Sequence, residues 1–225
     1  MPSKPCIAID GPAGAGKSTI ARLVADRLGF IYIDTGAMYR AVTLAALRRG
    51  VSVADQPALT QLAESCRIAF RECPELTPAR RVLLDGEDVT LAIRSPEVGS
   101  NVSLVAVVPG VRHALVRQQR EMAGSGGVVL DGRDIGTYVL PDAKYKFFLT
   151  ADVGERARRR YRELINRGVT TTYDAVEKEV RERDYIDSHR EMAPLRQADD
   201  AIVVDSTAMT VDDVVAVVLE RVREG

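Results

Sequence analysis

The sequence contains little cysteine, and its three cysteines do not stand at metal-ligand spacings. Cys6, Cys66 and Cys73 are an odd number, and reduced thiols in a cytosolic protein account for them most simply. The chain has no apolar run near the ~20 residues that cross a bilayer. Residues 1–5 lead directly into an apolar strand, which leaves no room for a signal peptide. We therefore expect a cytoplasmic protein.

The chain also lacks an excess of charge of either sign. Its 31 lysines and arginines nearly balance its 32 aspartates and glutamates, and the formal net charge is −1. This balance gives no global signal for nucleic acid or for a membrane surface. There is no internal repeat, and 225 residues suffice for one large domain or for a core that carries inserted lobes.

The pattern that organises the chain is a glycine-rich turn between an apolar strand and a helix. It reads Gly, four residues, Gly-Lys-Ser, and its glycines let backbone N–H groups surround an anion. Lys17 can reach the β- and γ-phosphates of a nucleotide, and the Ser18 hydroxyl can bind Mg²⁺. The alternative is a glycine-rich turn with a solvated lysine. The predicted ATP-binding residues are Gly11, Pro12, Ala13, Gly14, Ala15, Gly16, Lys17, Ser18 and Thr19.

Repeated strand, turn and helix segments predict an α/β fold with a five-stranded parallel sheet flanked by helices. The predicted strands cover residues 6–9, 30–33, 128–130, 145–149 and 201–204, and the longer helices cover residues 109–122, 153–166, 173–190 and 211–223. Between residues 66 and 99, short alternating pieces joined by Pro74, Pro78 and a turn at 85–88 predict a small inserted antiparallel sheet. Ligands of such folds gather at the carboxyl ends of the parallel strands.

Two polar clusters follow predicted strands and could complete a site beside the phosphate loop. In Asp34-Thr35-Gly36, Thr35 can cap the next helix. The Thr35 hydroxyl and the Arg40 guanidinium are also groups suited to binding a second phosphate. In the turn at 131–134, Asp131 can hold Mg²⁺-bound water, and Arg133 can bridge the donor and acceptor phosphates. Mg²⁺ would then bind Ser18, with Asp34 or Asp131 acting through water. The alternatives are a capped helix with a surface arginine and a turn with a local ion pair.

A third cluster consists of arginines at residues 156–162 and 181–190, on two predicted helices. These arginines could belong to a mobile flap that closes over the transferring phosphoryl group and excludes water. A solvated helix face is the alternative.

Taken together, these segments resemble the bacterial cytidylate kinases, a family of nucleoside monophosphate kinases. The resemblance is carried by the phosphate loop, by residues 34–40, by the turn at 131–137 and by residues 182–187, and it continues through residues 193–195 and 205–207. The Asp-Gly-Arg-Asp turn and the Arg-Asp run, combined with an antiparallel insert, discriminate this family from other phosphate-loop proteins. Ser18 stands where some members have glycine, which is a minor departure.

The resemblance implies a P-loop kinase that transfers the γ-phosphoryl group of ATP to CMP or dCMP with Mg²⁺, in pyrimidine nucleotide metabolism. It also implies a monomer that binds small nucleotides rather than nucleic acid or a membrane. The kinase core would comprise residues 1–64, 100–152 and 191–225, the CMP-binding insert about 65–99 and the lid about 153–190.

Individual roles follow from the same resemblance. The acceptor phosphate would be held by Arg40, Arg133 and Arg190, with Thr35 nearby, cytosine by Ser103, Arg112 and Asp134, and the sugar by Arg183 and Asp187. The lid would use Arg156, Arg159 and Arg160, and the catalytic residues would be Lys17, Asp131, Arg133 and Arg159. A carboxylate suits cytosine because it accepts a hydrogen bond from the exocyclic amine, where uracil would offer a second acceptor.

Two rival functions remain open on the sequence. A kinase of the same architecture could act on AMP, UMP or shikimate. A GTP-dependent switch is the rival of a different class, although the chain lacks the Asn-Lys-x-Asp tetrapeptide that reads guanine.

Overall fold

The structure is a computed structural model and describes residues 4–73, 75 and 80–224. Pro74 and Pro78, which the sequence assigns to connections of the insert, lie outside the described residues. The chain divides into two compact units. We call Met1–Tyr32 with Ser125–Gly225 the core unit, and Ile33–Gly124 the second unit.

Strands and helices alternate along most of the chain. The strands are β1 (Lys4–Asp10), β2 (Ile31–Asp34), β3 (Ile68–Glu72), β4 (Arg80–Leu84), β5 (Glu87–Asp88), β6 (Gly126–Asp131), β7 (Tyr145–Thr150) and β8 (Ile202–Asp205). The α-helices are α1 (Lys17–Leu28), α2 (Thr35–Arg48), α3 (Gln56–Ser65), α4 (Pro96–Ala106), α5 (Pro109–Ala123), α6 (Val153–Asn166), α7 (Tyr173–His189) and α8 (Val211–Glu224). A 3₁₀ turn covers Ala92–Arg94 and a π-helical turn covers Ile135–Val139.

The five-stranded parallel sheet confirms the predicted fold class. Its strand order is β2-β6-β1-β7-β8. Ile9 of β1 is paired with Asp131 of β6, and Asp10 is paired with Phe148 of β7. The carboxyl ends of β1 and β6 therefore lie side by side, so the residues that follow them in the chain meet at one edge of the sheet.

Apolar side chains hold α1 and α8 against the sheet. Each helix carries apolar side chains four residues apart, which places them on the same face of that helix. They are Ile20 and Val24 on α1, and Val214 and Val218 on α8. They share a buried cluster with Ile7, Ile9, Phe147 and Leu149 of the strands. Burial of each such side chain contributes about 1.5–3 kcal/mol, so this cluster fixes the helix that begins at the phosphate loop.

The residue that caps α2 differs from the prediction. Asp34 is the N-cap, and its Oδ1 accepts a hydrogen bond from the Ala37 N–H at 2.8 Å. Thr35 is the first helical residue and is buried, so the expectation that Thr35 caps the helix is wrong. An aspartate directly before the helix can satisfy the same orphan N–H group, and the negative charge also suits the helix N-terminus.

The second unit carries the predicted antiparallel sheet, with strand order β3-β4-β5 and Ile68 paired with Leu84. It also contains α4, which the sequence-based prediction lacks; Ser95 caps this helix by accepting from the Val98 N–H, and Pro96 opens it. The boundaries proposed for the insert and the lid stay predictions. Among the described residues, no helix is long and apolar enough to cross a membrane.

Candidate active site

The phosphate loop is shaped by glycines that no other residue could replace without strain. Gly11 has φ 145°, and a Cβ there would lie 1.9 Å from the Leu149 carbonyl oxygen of β7. Gly14 has φ 75°, and a Cβ there would lie 2.9 Å from the Arg156 carbonyl oxygen. The loop therefore packs directly against neighbouring backbone, and α1 begins immediately after it at Lys17, with Gly16 as its N-cap.

Lys17 is buried under the loop, and its Nζ donates to the Pro12 carbonyl oxygen at 2.7 Å. Burial and the positive charge of Arg133 together lower the pKa of Lys17 to about 7, against the opposing effect of Asp131. A lysine with a depressed pKa at the start of a helix is a group whose charge a bound phosphate would stabilise.

Ser18 and Asp131 lie together, as the sequence predicts for a magnesium site. The exposed Ser18 hydroxyl donates to Asp131 Oδ2 at 2.9 Å, and the Tyr32 hydroxyl donates to Asp131 Oδ1 at 2.7 Å. Tyr32 is a member of the site that the sequence-based prediction missed. A hydroxyl and a fixed carboxylate are the oxygen donors that Mg²⁺ prefers. The described residues contain no group of three or more His, Cys, Asp or Glu that could hold a metal.

Asp10, at the end of β1, fixes the turn that follows β6. Its two carboxylate oxygens accept from the Ile135 N–H at 2.8 Å and from the Gly136 N–H at 2.7 Å. Burial raises the pKa of Asp10 to about 6, although these two backbone hydrogen bonds act in the opposite direction. The sequence analysis did not include Asp10 in the site; a polar residue ending an apolar strand, as at Asp131, is the signal that could have found it.

Four predicted acceptor residues of the core unit form two ion pairs. Arg133 Nε donates to Asp187 Oδ2 at 2.7 Å, and Arg190 Nη2 donates to Asp134 Oδ1 at 3.0 Å. Burial would raise the pKa of Asp187, but Arg133, Arg190 and Arg183 together outweigh it, and the pKa lies below its usual range. Two carboxylates and two guanidinium groups thus lie together near the carboxyl end of β6.

Arg183 adds a further positive charge to this group. Burial lowers the pKa of Arg183, and the charge of Arg133 lowers it further. Its Nε is buried without a hydrogen-bond partner among the described residues. A cationic group whose pKa is lowered by a neighbouring cation, with donor capacity left over, is suited to an anionic ligand.

The three predicted lid arginines on α6 have different surroundings. Arg156 is buried and bound to the phosphate loop, with Nη1 donating to the Ala13 carbonyl oxygen at 2.9 Å. Arg159 donates to Ser206 through Nη1 and Nη2, at 3.0 Å to Oγ and 2.7 Å to the carbonyl oxygen. Arg160 pairs with Glu163 at 2.9 Å, and its Nε is buried without a partner among the residues described.

The second unit holds the remaining predicted acceptor residues. Thr35 and Arg40 lie on α2, Ser103 on α4 and Arg112 on α5. Arg112 is fully buried, with its guanidinium carbon 5.6 Å from the Tyr39 ring centroid and Nη1 donating to the Ala106 carbonyl oxygen at 3.3 Å. A guanidinium held this firmly against an aromatic ring and a carbonyl has a fixed direction.

Comparisons with known proteins agree with this chemistry. The family described as cytidylate kinase matches residues 7–224. The chain is 54% identical to a cytidylate kinase of Desulforamulus reducens over 225 residues, which cover 100% of both chains. It is 56% identical to that of Pelotomaculum thermopropionicum, over 100% of this chain and 99% of the relative.

Solved structures are similar at the level of the fold. An uncharacterized protein from Eubacterium ventriosum has a TM-score of 0.53 at 11% identity, covering 99% of this chain and 100% of that one. A shikimate kinase from Bacteroides thetaiotaomicron has a TM-score of 0.50 at 13% identity, covering 97% of this chain and 98% of that one. The matches over the whole sequence, together with the fold and the phosphate loop, show that the chain belongs to the cytidylate kinase family.

Proposed function

We propose that this protein transfers the γ-phosphoryl group of ATP to CMP or dCMP, giving ADP and CDP or dCDP. The observation that carries the proposal is the cationic cluster of Lys17, Arg133 and Arg183 in a chain of the cytidylate kinase family. Two nucleotides that meet end to end bring several negative charges to one place, and such a cluster neutralises them.

ATP would occupy the loop from Gly11 to Thr19, with its phosphates against the N-terminus of α1. Lys17 would bind the β- and γ-phosphates. Mg²⁺ would be held by the Ser18 hydroxyl and, through water, by Asp131; the contact between these two side chains supports Asp131 over Asp34, whose carboxylate caps α2. When bound, Mg²⁺ supplies neutralisation of the phosphate charge.

The residues assigned to CMP would divide its phosphate, base and sugar among them. Thr35, Arg40, Arg133 and Arg190 would bind the acceptor phosphate. Ser103, Arg112 and Asp134 would read cytosine, and Arg183 and Asp187 would bind the sugar. A carboxylate accepts hydrogen bonds from several donors, so the Arg190 pair fixes the direction of Asp134 without preventing it from accepting from the cytosine amine.

No protein nucleophile is needed, because phosphoryl transfer depends on alignment of the two substrates and on neutralisation of charge. Arg133 would bridge the donor and acceptor phosphates as the charge moves. Arg159 and Arg160 of the lid would close the site and exclude the water that would otherwise hydrolyse ATP. We also propose that the protein is a cytoplasmic monomer that acts in pyrimidine nucleotide metabolism.

The proposal is tested by offering the purified protein MgATP with each of CMP, dCMP, UMP, AMP and shikimate, and by measuring ADP formation in a coupled assay. We expect the highest kcat/KM with CMP or dCMP. A preference for UMP, AMP or shikimate would refute the assigned acceptor, and GTP binding without acceptor-dependent turnover would support a switch instead.

A further inference from the structure

Both backbone polar groups of Ala13, in the middle of the phosphate loop, are bound by one ion pair. The Ala13 N–H donates to Asp184 Oδ1 at 3.3 Å, and the Ala13 carbonyl oxygen accepts from Arg156 Nη1 at 2.9 Å. The same Arg156 nitrogen donates to Asp184 Oδ2 at 2.6 Å. Asp184 lies on α7 and Arg156 on α6, so two helices meet at this one loop residue. We call Ala13, Arg156 and Asp184 the loop clamp.

Arg156 is committed to these contacts. Its side chain is 8% exposed, and its Nε donates to the Ala151 carbonyl oxygen at 2.9 Å. The loop also touches the Arg156 backbone, since a Cβ on Gly14 would lie 2.9 Å from the Arg156 carbonyl oxygen. A guanidinium with three acceptors around it cannot turn to a phosphate without giving up its bonds to a partly buried carboxylate and to a carbonyl oxygen, which is costly.

We propose that Arg156 and Asp184 are positioning residues that hold the phosphate loop in its ATP-binding conformation, rather than groups that contact the transferring phosphoryl. A glycine-rich loop is flexible by itself, and ordering it when ATP arrives would weaken ATP binding. The loop clamp fixes the peptide groups on either side of Ala13 before ATP binds. It also joins the loop to both helices of the predicted lid. This inference rests on the proposed use of ATP as the phosphoryl donor.

The decisive variant is Asp184→Asn, because electrostatics and the loop clamp predict opposite results for it. Removal of a negative charge beside a loop that binds a polyanion should strengthen ATP binding if charge alone matters. The Ala13 N–H and Arg156 donate to different oxygens of Asp184, and asparagine replaces one of those oxygens with an NH₂ group, which would face a donor instead of accepting from it. We therefore expect the Kd for MgATP to rise about 10-fold or more, as for loss of a hydrogen bond to a charged group.

The matched control is Glu182→Gln, which removes the same charge from the same helix. Glu182 is exposed and pairs only loosely with Lys178, at 3.8 Å, so the variant should bind MgATP as the wild type does. A Kd for Asp184→Asn that equals or falls below the Glu182→Gln value would overturn the proposal.

Arg156→Lys tests whether the two residues act as one unit. An ammonium group keeps the charge but cannot reach Ala151, Ala13 and Asp184 together. If they form one clamp, the double variant that combines Arg156→Lys with Asp184→Asn should lose no more MgATP affinity than the weaker-binding single variant. Losses that multiply in the double variant would show independent roles and contradict the clamp.

Amide hydrogen exchange is a second measurement, and it depends neither on ATP binding nor on catalysis. In the free protein, the Ala13 amide hydrogen should exchange with solvent faster in Asp184→Asn than in Glu182→Gln, because its acceptor is weakened. Equal exchange rates would refute the clamp even if Asp184→Asn proved too unstable for kinetics. Wild-type protein that binds no MgATP would instead refute the proposed function, so the two failures are distinguishable.

Discussion

Arg156 and Arg160 are one helical turn apart on α6, yet their surroundings are opposite. The Arg156 side chain is 8% exposed and is bound to two carbonyl oxygens and a carboxylate. The Arg160 side chain is 22% exposed and pairs with the half-exposed Glu163, and its Nε has no partner among the described residues. The same residue type on one helix thus serves to hold the fold at one position and keeps donor capacity for a ligand at the other.

The other cationic side chains of the core unit also differ in their surroundings. Arg159 donates to Ser206 and Glu155. Lys17, Arg133 and Arg183 lie close enough for their charges to oppose one another, and the pKa values of Lys17 and Arg183 are lowered. Perturbed pKa values cluster at functional sites, so we expect these groups to predict the phosphate site better than the number of arginines in a helix does.

The largest expected effect is that of Arg133→Ala. An arginine aimed at a transferring phosphoryl group is worth about 10³–10⁵ in rate, so kcat should fall by about 10³-fold or more, while the Kd for MgATP changes far less. Steady-state kinetics and calorimetric titration measure the two quantities. Arg133→Lys keeps the charge but loses the fork that reaches Asp187, and it should recover only part of the rate. Unchanged turnover in Arg133→Ala would remove Arg133 from the mechanism.

Arg160→Ala tests whether Arg160 and Arg156 of α6 have different roles. If its spare donor binds phosphate when the lid closes, kcat should fall by about 10²-fold, as for loss of one transition-state donor, with little change in the Kd for MgATP. Loop-clamp variants at Arg156 should behave in the reverse way, losing MgATP affinity more than kcat. If Arg156 and Arg160 variants share one kinetic pattern, the distinction between them is wrong.

A smaller effect is expected in the number of protons that the protein takes up when it binds ATP. Lys17 has a pKa near 7 in the free protein, so at pH 8 it is mostly neutral. The negative charge of ATP raises that pKa, and binding at pH 8 should therefore take up most of one proton, whereas binding at pH 6 should take up little. Calorimetry in buffers of different ionisation enthalpy measures the uptake. Absence of uptake at pH 8 would mean that Lys17 is already charged in the free protein.

The smallest effect is expected for Arg158→Ala. Arg158 is on α6 between the two contrasted arginines, but its side chain is 52% exposed and pairs with Glu155 at the surface. Loss of such a pair should change the free energy of unfolding by less than about 0.5 kcal/mol and leave kcat unchanged. A large loss of turnover would show that exposure does not separate structural from functional arginines on this helix.

The sequence was sufficient to predict the five strands of the parallel sheet, the small antiparallel sheet, most of the helices and the phosphate loop. Local rules govern these features: apolar runs, glycines that require positive φ, and helix signals within a few residues. The same rules placed the cap of α2 at Thr35 instead of Asp34, and α4 was missed although Ser95-Pro96 carries a start signal.

Contacts between distant segments were beyond those rules. Asp10 accepts from residues 125 and 126 positions away, and Asp184 meets Ala13 across 171 positions. The spacing of the five arginines at residues 156–162 does not indicate which of them is buried against the loop. The roles of individual site residues therefore stay predictions that the variants above can test.

The most direct measurement follows the labelled phosphoryl group itself. Wild-type protein is incubated with ATP labelled at the γ-phosphorus, Mg²⁺ and saturating CMP, and the products are separated. We expect the label in CDP, with inorganic phosphate at the level of a control without enzyme. Label released only as inorganic phosphate, or ATP consumption that CMP does not raise above background, would contradict transfer between two nucleotides bound end to end.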